Sequence, residues 1–126
     1  MADRLSVSGD PAMFDRDQYG NVLGGVRTPY VDVPIAVLEG EGQPQPDFSD
    51  VDDISVETVD FCFLSGTTQL FDAATLGMLY ASNAAYVEAV RASTDATVAS
   101  GFLVPEDGEL IKAYAEASDI FAGVDE

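Results

Sequence analysis

Serine and cysteine become nucleophiles when a nearby base takes their proton, and that base is most often histidine. This chain contains serines and a cysteine but no histidine. The Gly-x-Ser-x-Gly turn that presents a nucleophile at a strained strand-to-helix corner is also missing. Ser8, Ser65 and Ser100 are each followed directly by glycine, yet none has glycine two residues before it. Cys62 lies between Phe61 and Phe63, surroundings that raise a thiol's pKa and blunt its reactivity. Lys112, the sole lysine, falls on the surface of a predicted helix. The chain by itself thus lacks the parts for acyl-transfer chemistry.

Other chemistries fare no better. Asp47, Asp50, Asp52 and Asp53 are oxygen donors of the kind calcium takes, but their spacing lacks the central glycine and the closing glutamate of a calcium loop. A solvated acidic loop is the plainer reading. Zinc would need a histidine and cysteine cluster, and the glycines at 20, 24 and 25 do not match a phosphate or dinucleotide fingerprint. The sequence therefore calls for no cofactor and no metal. Gly24, Gly25, Arg27 and Asp32 stand out instead, set in a run dense with glycine and proline. Arg27 and Asp32 are five apart in an extended segment and cannot face each other across a helix turn. Each is either an anchor that pins the segment through charge-assisted hydrogen bonds or part of a pocket wall, with Arg27 then receiving a carboxylate.

Charge narrows the partners. Asp and Glu number 23 against 5 Lys and Arg, a formal net charge of −18. That field repels nucleic acid and anionic membranes. It also strains the compact state unless salt screens it, as expected of a protein from a salt-loving cell. One cysteine excludes an internal disulfide. No apolar run reaches the ~18 residues of a membrane span, and the first residues lack signal-peptide order. A soluble, cytoplasmic chain is expected.

The elements that would position these residues follow from local chemistry. Gly9-Asp10-Pro11 marks a turn, and Asp15 to Asn21 a second. Alternating Val31, Val33, Ile35 and Val37 predict an extended strand over about 31–39, with Pro34 confining it to an edge. Residues 40–55 read as a loop, and Phe61–Leu64 as a buried strand or docking segment. Asp72 is the expected N-cap of a helix over 73–81. Ser82 or Asn83 opens a longer helix to about Ser100, ended by Gly101 at C′, with Tyr86, Val87, Val90, Thr94 and Val98 inward. Pro105 starts a third helix, with acids in its first turn and an apolar stripe of Leu110, Ile111, Tyr114 and Ala117.

Asp17-Gln18-Tyr19-Gly20-Asn21-Val22-Leu23-Gly24-Gly25-Val26-Arg27-Thr28-Pro29-Tyr30-Val31-Asp32-Val33-Pro34 resembles a stretch near the C-terminus of a family of large α/β-hydrolase domain-containing proteins. The likeness continues through Phe61–Thr68, Phe71–Leu76, Leu79-Tyr80, Tyr86-Val87 and Gly101–Asp107. It covers roughly residues 12 to 118, and the order of the blocks is more specific than any one block. The resemblance implies a serine-hydrolase scaffold acting on esters or related acyl bonds. It carries no catalytic residue onto this chain, because the family's nucleophile elbow and catalytic histidine lie upstream of the matching part.

The expected fold is mostly α with a short extended or β N-terminal part and a three-helix C-terminal cluster, a fragment of a larger α/β-hydrolase fold. It divides into 1–60, the extended Gly/Pro-rich segment with the acidic loop, and 61–126, the helical region, together one incomplete domain. The expected function is that of a C-terminal hydrolase part, inactive alone. Its expected partner is an upstream hydrolase body, in the same or a separate chain, or another copy of itself. A free-standing acidic protein-interaction domain without catalysis is the alternative.

Overall fold

The computed structural model describes residues 4–40 and 65–122. The acidic loop beyond Gly40 lies outside them, as do its four aspartates, Cys62 and the Phe61–Leu64 block. The described chain is mostly helical, with two small antiparallel strand pairs.

The first pair is a hairpin of β1 (Val7–Ser8) and β2 (Met13–Phe14), joined through the expected Gly9–Pro11 turn. A third segment lies against it: Ser6 N–H donates to Leu23 O and Leu23 N–H to Asp15 O. Between them the chain reverses at Asp17, whose Oδ1 accepts from the backbone N–H groups of Tyr19 and Asn21. Aspartate favours this geometry because its short side chain mimics a backbone turn.

Thr28, held extended by the proline after it, leads into α1 (Pro29–Asp32), a single helical turn. This corrects the expected strand over 31–39. Proline at the first helical position brings a preset helical φ and sacrifices an N–H that would lack a partner anyway. The turn stops at Val33, which precedes Pro34 and is thereby driven out of the helical region. The strand proper, β3, is Ala36–Glu39 and pairs antiparallel with β4 (Thr67–Leu70), Ala36 opposite Leu70 and Glu39 opposite Thr67.

The helices start and stop on local signals. Asp72 caps α2 (Ala73–Leu79) by accepting from Thr75 N–H at 2.8 Å. Ser82 Oγ caps α3 (Asn83–Ala99) through Ala85 N–H. At the far end of α3, Gly101 takes φ +77°, and the N–H groups of Gly101 and Phe102 reach back to Val98 O and Thr97 O. That double bond pattern is a Schellman stop. Pro105 opens α4 (Pro105–Ala117), with Glu106 and Asp107 in its first turn facing the positive end of the helix dipole.

Helices α3 and α4 pack antiparallel. Arg91 pairs with Glu116 and Asp95 with Lys112, while Gly108 abuts Thr94 and Val98. A β-carbon at Gly108 would lie 3.0 Å from Val98 Cγ2 and 3.2 Å from Thr94 Cγ2, so the close approach depends on its absence. The buried face of α4 is therefore Gly108 and Ala115, with Ile111 partly covered. Leu110 and Tyr114 are exposed, which corrects the stripe expected from residue size. On α3 the buried face is Tyr86, Val90, Ser93, Thr94 and Thr97. Its hydroxyls are satisfied within the helix, Thr94 to Val90 O and Thr97 to Ser93 O. The apolar core collects Val33, Leu76, Tyr80, Tyr86, Val90 and Ala115 from four helical segments.

Candidate functional site

The Gly20–Pro34 run folds around Arg27. Its Nη1 donates to Val22 O at 2.8 Å, and its Nη2 donates to Val31 O and to Asp17 Oδ2, both at 3.0 Å. The guanidinium thereby ties the hairpin's third segment, α1 and the Asp17 turn into one knot. Asp17 works twice, with Oδ1 shaping its own turn and Oδ2 meeting Arg27. Both side chains are largely buried, so their charge-assisted bonds are screened less than surface pairs.

Asp32 sits at the end of α1, exposed, and no hydrogen bond or ion pair links it to Arg27. The two share the walls of a shallow cleft of about 260 Å³ with Tyr19 and Tyr80. Gly24 and Gly25 take φ +83° and +67°. At Gly24 a β-carbon would stand 2.2 Å from Arg4 O, so the segment leading into β1 can lie against this loop only if the residue is glycine.

Asn21 escaped sequence reasoning, although it is 1% exposed. Its Nδ2 donates to Ala36 O at 3.0 Å, and its Oδ1 accepts from Leu38 N–H at 2.8 Å. A side-chain amide here stands in for a peptide group along β3. The only local hint is its place after Gly20 in a turn, which says nothing about a partner fifteen residues away. Asn83 does the same elsewhere, donating to Ser118 O and accepting from Ile120 N–H, and so holds the chain after α4 to the start of α3.

The described serines that touch a carboxylate gain no nucleophilicity from it. Ser6 and Ser8 both donate to Asp15, and these bonds hold the Asp15 carboxyl below the usual carboxylate range. A general base works best with a pKa near the operating pH, so this shift runs the wrong way. Lys112 is no substitute, since hydrogen bonds to Asp95 and Glu109 raise its pKa and keep it protonated. Among the described residues, no group of three carboxylate or thiol side chains gathers to hold a metal. No helix among them is long and apolar enough to cross a membrane.

What the arrangement does is hold an irregular segment rigid against a helical layer. No curated protein and no solved structure matches the chain. A family model described as alpha/beta hydrolase domain matches residues 1–113. By that match, which takes in both the Arg27 knot and the helices behind it, the chain belongs to the α/β-hydrolase domain family.

Proposed function

We propose that this chain is the C-terminal part of an α/β-hydrolase-like protein acting on esters or related acyl bonds, and that it is inactive alone. It works docked on a hydrolase body, supplied upstream in the same or a separate chain, that carries the nucleophile and the histidine. The family match over residues 1–113, in a sequence with no histidine, is the observation that carries this reading. The hairpin is consistent with it: Leu5, Val7, Met13 and Phe14 are all more than 40% exposed, an apolar surface suited to cover by another body. In this arrangement α2, α3 and α4 act as one cluster that backs the Arg27 knot, with Gly24, Gly25 and Arg27 as anchors of the docking segment and Asp32 on the wall of the cleft beside it.

The test is ester turnover. The purified chain should cleave a nitrophenyl ester at the background rate, and coexpression with the upstream body should give an active complex. Turnover by the chain alone sinks the proposal.

A second reading, a free-standing acidic interaction domain, is favoured by one observation. Among the described residues, no buried side-chain nitrogen or oxygen lacks a hydrogen-bond partner. A cooperative melt at high salt that does not depend on protein concentration supports this reading, whereas a chain that becomes monodisperse only with its partner supports the first.

A further inference from the structure

Tyr80 and Tyr86 meet edge to face in the core, with ring centres 5.3 Å apart, yet their hydroxyls differ. Tyr80 Oη donates to Pro34 O at 2.9 Å. Tyr86 is only 9% exposed, and its Oη makes no hydrogen bond among the described residues. Among the described residues no fully enclosed side-chain oxygen is left without a partner, so Tyr86 Oη reaches solvent. Tyr86 lines a cleft of about 180 Å³ between α1, α3 and α4, which it shares with Tyr30. Val33, Val90 and Ile111 form its apolar wall, and Tyr30 and Tyr114 stand exposed at its mouth.

We propose that this cleft binds a small uncharged molecule: one aromatic ring or branched hydrocarbon group bearing a carbonyl oxygen that accepts from Tyr86 Oη. Each part of that description has a separate cause. An apolar cavity of about 150 Å³ accommodates benzene, which sets the size at a single ring. Among the described residues no Asp, Glu, Lys or Arg lines the cleft, so neither charge finds a counter-ion there. A chain of net charge −18 further disfavours an anion. A ligand that fills the cleft displaces water from this hydroxyl, and a carbonyl replaces the lost hydrogen bond where a hydrocarbon does not. Burial also raises the Tyr86 phenol above its ordinary pKa, so it remains a neutral donor across the physiological range. The site is a matter of binding, measured without turnover, and it stands or falls separately from the hydrolase reading.

The test uses acetophenone, which has one ring and one carbonyl and cannot be hydrolysed, titrated into the full chain and followed by NMR. Binding with a Kd on the order of a millimolar is expected for a ligand of this size, with shifts centred on Tyr86, Val90 and Ile111. Ethylbenzene, which keeps a ring and loses the oxygen, should bind about three- to tenfold more weakly, the worth of one hydrogen bond. Tyr86→Phe should bring acetophenone down to the ethylbenzene level and leave ethylbenzene unchanged. Tyr30→Ala, at the exposed mouth, should weaken both probes alike. Equal binding of the two probes to the native chain overturns the proposal, as does preference for benzoate or a set of shifts elsewhere. Cleft signals that move with protein concentration alone also overturn it, by showing that a second copy occupies the cleft.

Discussion

Replacing Tyr80 by phenylalanine should change the pH dependence of stability as well as its size. At neutral pH the variant loses the Oη bond to Pro34 O and leaves that buried carbonyl without its donor. The cost is about 1–2 kcal/mol. Burial, assisted by the neighbouring Tyr86, pushes the Tyr80 phenol from 10.0 up to about 12. A raised folded pKa means stability that is complete below pH 10, where the unfolded chain's tyrosine is still neutral, and that drains away as pH rises towards 12. The difference between the folded and unfolded phenol corresponds to roughly 2.7 kcal/mol, of which about 1.4 kcal/mol is gone by pH 11. Tyr80→Phe has no phenol to ionise at this site, so it escapes that loss. Urea unfolding in concentrated salt, repeated from pH 7 to 11.5, should therefore show the native chain ahead by 1–2 kcal/mol at first. The gap should close near pH 11. Two parallel curves would refute the reasoning, because they would mean Tyr80 ionises as easily folded as unfolded.

Two further substitutions probe the N-terminal half. Asn21→Ala strips both Ala36 O and Leu38 N–H of their side-chain partner and should cost about 2–4 kcal/mol in the same urea assay. An unchanged midpoint would show that water replaces the amide freely. Gly24→Ala sets a β-carbon against Arg4 O at a φ of +83° and should release the segment from the hairpin. Amide exchange at Ser6 and Leu23, which bond across that contact, should speed up while protection in α3 stays as it was.

The helix ends were legible in the sequence because their causes are local. Asp72, Ser82, Gly101 and Pro105 each satisfy or forgo a backbone group within four residues of their own position, and a capping rule needs nothing from the rest of the fold. The face of α4 was not legible. Hydrophobic patterning ranks positions by side-chain size, whereas α3 selected Gly108 and Ala115 for the closeness they permit and left Leu110 and Tyr114 outside. The valines at 31 and 33 misled in a similar way, since their alternation is overridden by Pro29, which opens the four-residue turn, and by Pro34 just beyond it. The arginine at 27 was identifiable as a binding group, but its acid, Asp17, lies ten residues back. That pairing depends on a turn whose closure is not written in the spacing.

Asn21 has an effect beyond the bonds it makes. Ala36 and Leu38 point their backbone groups away from β4, so the amide covers the side of β3 where a foreign strand would dock. Exposed strand edges invite aggregation, and proteins guard them by burial or covering. Here one side chain occupies part of a rim of the two-stranded sheet. Among the described residues, the outer side of β4 carries no strand. Among the described residues, the rim open to a strand from another molecule is therefore that of β4. Pairing of β4 with β4 of a second copy would use the open rim of both sheets, while Asn21 obstructs further addition along β3.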